Sequence, residues 1–167
     1  MPMTKPDALM PNDFRIEKSL LPVTVTLVGG ETLVGDVFIQ ASARHRFELE
    51  DAPEVMNAAE PFLPLRLRTG PTLLVAKGQV RDVRVALDHV SHPDWSVAVP
   101  AAVSVRLHDG TVVDGKLCIE SVSGRMRVLD FLNRATDRFL PVYRADGLVL
   151  ISFLQVLYIR QIGDAAA

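Results

Sequence analysis

The sequence predicts an all-β protein with one short helix per repeat, built as two tandem small β-barrels. Three observations carry this: an internal repeat, apolar alternation with a period of two at the start of each copy, and glycine-containing turns at matching places. Residues 23–39 read VTVTLVGGETLVGDVFI and residues 103–119 read VSVRLHDGTVVDGKLCI. Val23, Val25, Leu27, Gly30, Gly35 and Ile39 thus return as Val103, Val105, Leu107, Gly110, Gly115 and Ile119. With small shifts, Val55-Met56-Asn57 is answered by Phe131-Leu132-Asn133, and Phe62-Leu63-Pro64 by Phe139-Leu140-Pro141. Self-similarity kept in order over this length is the signature of a duplicated unit. The expected boundaries are an N-terminal extension over 1–20, a first unit over 21–85, a linker over 86–101 and a second unit over 102–163.

Each unit opens on an alternating, half-buried strand, Val23–Leu27 or Val103–Leu107. Gly29-Gly30 and Asp109-Gly110 supply a tight hairpin turn, and the second strand follows as Thr32–Ile39 or Val112–Ile119. Gly35 and Gly115 inside that strand read as bends at a barrel corner. A third strand is expected at Arg46–Leu49 and Arg125–Leu129, followed by a helical turn that Asp51 or Asp130 would cap. The fourth strand is Leu63–Arg68 or Leu140–Arg144, and the fifth is Thr72–Ala76 or Leu148–Phe153. A short break then leads to the last strand, Val80–Val85 or Val156–Ile162. Six short strands per unit call for a strongly bent barrel, since an open sheet of this size would leave exposed edges.

Composition narrows the function classes. The formal charge is −2, and each half carries one more acidic than basic residue. A protein that lives on phosphate contacts shows a basic excess instead. The one cysteine, Cys118, excludes an internal disulfide and fits a reducing compartment. No signal-peptide core or membrane-spanning apolar run occurs, so a cytoplasmic protein without membrane attachment is expected. No phosphate-cradling glycine loop, nucleophile elbow or paired acid motif is present, so no enzyme activity and no cofactor are expected.

The opening of each unit resembles the first half of the Sm-like fold, an SH3-like barrel. The matching residues are Val23, Val25, Leu27, Gly30, Gly35 and Val37, and again Val103, Val105, Leu107, Gly110, Gly115 and Leu117. Lys77-Gly78-Gln79-Val80 is similar to that family's second motif, a basic residue and glycine before an Ile/Val strand. The chain is also similar to bacterial proteins with an Asp-Phe-Leu-Asn…Phe-x-Pro pattern, which have no established activity. Together these likenesses imply a tandem small barrel in a bacterial cytoplasm. The Asp and Asn with which RNA-binding Sm-like proteins hold a base are replaced by Ala41-Ser42-Ala43-Arg44 and Ser121-Val122-Ser123-Gly124.

Several residues stand out against this frame. Arg44 and Arg46 in the first unit, and Arg125 and Arg127 in the second, form either a solvated face or a face for an anion, a nucleic acid or a protein. Lys77 belongs with them as a possible partner contact. Trp95, the only tryptophan, either packs into a groove between the units or serves as an aromatic anchor for a partner. Asp88-His89…His92-x-Asp94 has metal-ligand residue types but no enforced convergence, so no metal site is assigned. Cys118 faces Phe38 in the repeat and reads as packing. Asn57 and Asn133, polar residues in an apolar setting, are expected to bond local backbone at the end of their helical turns. The resulting expectation is a non-catalytic binding or scaffold module for protein partners, with homo-oligomerisation open. The alternative is an Sm-like RNA- or anion-binding protein using the arginine faces.

Overall fold

The structure is a computed structural model, described over residues 19–40, 51–120 and 127–163. It is all-β apart from short helical turns. The first unit runs β1 (Ser19–Leu27), β2 (Thr32–Ile39), α1 (Ala52–Asn57), β3 (Phe62–Leu67), β4 (Thr72–Ala76) and β5 (Val80–Ala86). The second runs β6 (Ala98–Leu107), β7 (Val112–Glu120), α2 (Val128–Arg134), β8 (Phe139–Arg144), β9 (Gly147–Ser152) and β10 (Val156–Gln161). A 3₁₀ turn, Lys77–Gln79 or Phe153–Gln155, precedes the last strand of each. The two halves therefore repeat one order of elements. Their details repeat too: Leu27 and Leu107 make the same turn bonds, and β5 and β10 each slip register once against their neighbour.

The ten strands of the described residues belong to one antiparallel sheet, in the order β10-β6-β7-β8-β9-β5-β1-β2-β3-β4. Each unit contributes five neighbouring strands in one pattern, its last strand beside its first and its fourth at the far side. The units join where β9 pairs with β5, from Asp82↔Ile151 to Ala86↔Gly147. The expected pair of separately closed barrels is not what the hydrogen bonding describes: the sheet is open, and β10 and β4 end it.

Two cores lie along this sheet. The first collects Val25, Val37, Met56, Leu65 and Val83, among others, and takes in Phe139, Leu148 and Leu150 from the second unit. The second collects Val103, Val105, Leu107, Leu117, Leu140, Val149 and Ile151. Strand β9 is buried along its whole length, since its alternate side chains serve different cores. Side chains of this kind each contribute roughly 1.5–3 kcal/mol on burial, so the shared strand ties the two units together.

Two sequence expectations change. The segment expected as a third strand, Arg125–Leu129, is helical from Val128, and Arg127 is its extended cap. Val128, Phe131 and Leu132, at helical spacing, rest against the second core and favour the helix. Asp51 does cap α1, accepting from the Glu54 N–H at 2.9 Å, whereas Asp130 lies inside α2. The first-unit counterpart, Arg46–Leu49, lies outside the described residues. Gly35 and Gly115 lie in the middle of their strands, and β1·β2 and β6·β7 run through them without a slip. They allow the next strand to approach: a Cβ on Gly35 would sit 2.3 Å from the Arg66 carbonyl oxygen, and one on Gly115 2.5 Å from Val142.

Candidate functional site

Two concave regions bring chemistry-bearing side chains together. The first is a groove of about 810 Å³ where the segment between the units folds over the second. Asp94 shapes that segment, accepting from the Ser96 N–H at 3.0 Å and the Ser96 hydroxyl at 2.5 Å. These bonds hold the Asp94 carboxyl below its usual range. The turn presents Trp95 against Tyr143 of β8, edge to face with ring centroids 5.8 Å apart. His92, Pro100, Asp114, Lys116, Arg144 and Ile162 also line the groove, and the Arg144 Nε lies 3.4 Å from the Asp146 carboxylate. Trp95 remains 38% exposed, so its ring is supported on one side and open on the other.

The second region is a cleft of about 490 Å³ at the junction of the units. Helix α1 of the first unit overhangs β7 and β8 of the second. Asp51, Glu54, Glu120 and Asp137 line it with Cys118 and Tyr143. Burial, with the nearby Cys118, Asp51 and Glu120, pushes the Tyr143 hydroxyl up to about 12. Burial and the Glu120 charge also push the Cys118 thiol up. That thiol is protonated at neutral pH and so is a poor nucleophile.

Two polar clasps fasten this junction. Asn57 accepts from the Phe139 N–H at 2.9 Å and donates to the Phe139 carbonyl at 3.4 Å. The amide thus bonds a strand of the other unit, rather than the local backbone expected from the sequence. Arg81 donates to buried Asp82 at 2.7 Å and reaches Asp109, in the β6–β7 turn, at 2.6 Å. The Thr111 N–H and hydroxyl, with Arg81, draw the Asp109 carboxyl down to about 2.

The sequence-derived candidates separate accordingly. Arg44, Arg46 and Arg125 lie outside the described residues, and Arg127 is exposed beside α2. Lys77 is buried, and its Nζ donates to the carbonyls of Val55 at 2.9 Å and Ala58 at 3.1 Å. Burial lowers its pKa. Two carbonyls at the end of α1 take the ammonium, so Lys77 is not a surface contact. Trp95 packs on the second unit, not between the units. His92 lines the groove while Asp94 bonds Ser96, and no group of three or more His, Cys, Asp or Glu able to hold a metal occurs among the described residues. Sequence reasoning passed over Tyr143, although the repeat places Arg66 there and that departure was visible.

The chain matches no protein-family model, and no curated protein or solved structure is similar to it. No described helix is long and apolar enough to cross a membrane.

Proposed function

We propose that the protein is a non-catalytic binding module of a bacterial cytoplasm, derived from a duplicated Sm-like or SH3-like unit, whose Trp95–Tyr143 groove takes a segment of a protein partner. The observation that carries this is a half-exposed tryptophan braced by a tyrosine beside Lys116 and Arg144. Trp, Tyr and Arg dominate the energetics of protein interfaces, above all where a pocket excludes water around them. The apolar walls suit an extended segment with apolar side chains, and the mixed charges of Lys116, Arg144 and Asp114 suit polar ones.

The sole tryptophan makes the test direct. A protein captured by the wild type and not by Trp95→Ala is titrated in purified form while Trp95 fluorescence is followed. The expected result is a shifted emission, weak salt dependence and a negative heat-capacity change. Retention of single-stranded RNA with affinity falling about 0.7 log units per log unit of salt for each phosphate contact, lost in Arg125→Ala/Arg127→Ala, would favour the nucleic-acid reading instead.

A further inference from the structure

The junction inside the chain is a template whose two halves are also present, with no described strand beside them, at the ends of the sheet. Unit one meets unit two through β5 against β9, and the chain leaves a fourth strand, β4, and a last strand, β10, as its edges. The residues that matter at the junction have counterparts at those edges. Phe139, 1% exposed, corresponds to Phe62 at 56%, and Leu150, fully buried, corresponds to Leu74 at 70%. Each pair occupies the same position in its strand ladder: Phe139↔Ser152 and Pro141↔Leu150 against Phe62↔Ala76 and Pro64↔Leu74. Helix α1 buries Ala52, Val55 and Met56, whereas in α2 Val128, Phe131 and Leu132 are only partly buried against the second core. Asn57 clasps Phe139, and its counterpart Asn133 is exposed.

The cores explain the difference. The first core is completed by Phe139, Leu148 and Leu150, all donated by the other unit. The second receives no such donation from the described residues of the first unit, and Phe131, Leu132, Val156 and Ile159 around it stay partly exposed. We propose that a second copy of this chain completes the second core, its β4 pairing with β10 and its Phe62 and Leu74 filling the place that Phe139 and Leu150 fill in the first. Carrying the junction's register across sets Ile159 opposite Leu74 and Tyr158 opposite Val75, as Val83 stands opposite Leu150 and Asp82 opposite Ile151. Asn133 then bonds the backbone of the other copy's Phe62.

One clasp is replaced rather than repeated. Leu157 holds the place of Arg81, and Val28-Gly29 the place of His108-Asp109, so an apolar contact stands where the junction has an ion pair. Both sides of it are exposed, Leu157 at 56% and Val28 at 40%. The contact joins unlike surfaces, so it is head to tail and propagates into a ring or a filament rather than stopping at a symmetric dimer. Each contact also forms a new cleft, with Arg127 and Arg66 where the internal cleft has Asp51 and Tyr143. This inference is independent of the Trp95 groove.

Complementary variants of the full chain test it by sedimentation or light scattering. Leu74→Asp spoils the β4 side and leaves β10 intact, and Leu157→Asp does the reverse. Both residues are exposed within the chain, so melting curves should stay near the wild type in dilute solution. The wild type is expected to be larger than a dimer, each variant alone monomeric, and an equal mixture of the two a one-to-one dimer that grows no further. Asn133→Ala should weaken wild-type association about tenfold, the usual scale for one or two lost hydrogen bonds. A monomeric wild type at high micromolar concentration, variants that assemble like the wild type, or a mixture that stays monomeric would each overturn the proposal.

Discussion

Strands β4 and β9 share a sequence pattern and a place in their units, yet β9 is buried throughout while β4 has Leu74 and Thr72 exposed. The helices differ in the same way. The capped α1 is pinned by Lys77 and Asn57, and α2, with no side-chain cap, has no fully buried residue. Position in the repeat does not decide burial; position relative to the β5·β9 junction does. One unit donates a strand face to the other's core, and equivalent residues therefore carry very different energies.

The largest difference between junction and edge is expected at glycine. Gly147 has φ +143°, and a Cβ there would lie 2.0 Å from the Val85 carbonyl oxygen, inside the junction. Gly147→Val should cost about 3 kcal/mol or more, from backbone strain and a displaced β5. Gly70, at φ +120° with nothing near its would-be Cβ, should cost only the strain, about 1–2 kcal/mol as Gly70→Ala. Urea titration of both variants measures the gap. Next in size is Leu150→Ala, expected to lose about 2–5 kcal/mol because it opens a cavity in the first core. Leu74→Ala should stay within about 0.5 kcal/mol in dilute solution. Equal losses for this pair would remove the distinction between shared and edge strands.

The asparagines give a finer contrast. Asn57→Ala should cost about 1–2 kcal/mol, since it frees the Phe139 backbone, and Asn133→Ala should leave the melting temperature of the monomer unchanged. The smallest effect is at the Arg81–Asp109 clasp. The Asp109 carboxyl titrates at about 2 in the folded chain, below the ordinary Asp value of about 3.9. Its contribution is therefore complete above about pH 4 and fades as pH falls toward 2. The Asp109 side chain is 40% exposed, so Asp109→Asn should cost less than about 1 kcal/mol at neutral pH. The difference from wild type should shrink between pH 4 and pH 2; a constant difference would mean that the charge is irrelevant.

Much of the fold was legible because strand alternation and turn residues are local signals. The hairpins at Gly30 and Gly110 and the last three strands of each unit lie within a few residues of where the sequence set them. The helical turn expected from Asp130 is present, but it starts earlier: Val128 and Leu129 misled, because a short apolar run fits strand or helix alike. The junction was harder to read. Asn57 signalled a polar task in an apolar setting, but its partner Phe139 lies far along the chain. One clue was available: Leu148–Ile151 is unbroken apolar, the pattern of a strand covered on both faces, whereas β8 places Pro141 and Arg144 among its apolar residues. Lys77 looked like a surface cation, and only the fold brings the carbonyls of Val55 and Ala58 to its ammonium. The groove was half legible, with Trp95 marked by its singularity and Tyr143 concealed within a strand.

Amide hydrogen exchange on Leu157→Asp, in which β4 keeps β3 on one side and has no strand of another copy on the other, separates the junction strands from the edge strand. Amides of β5 and β9 bonded across the junction are expected to exchange only as fast as the whole domain unfolds. The outward-facing amides of β4, with no described strand beside them, should exchange orders of magnitude faster. Protection of β4 equal to that of β9, or fast exchange along β9, would contradict that difference.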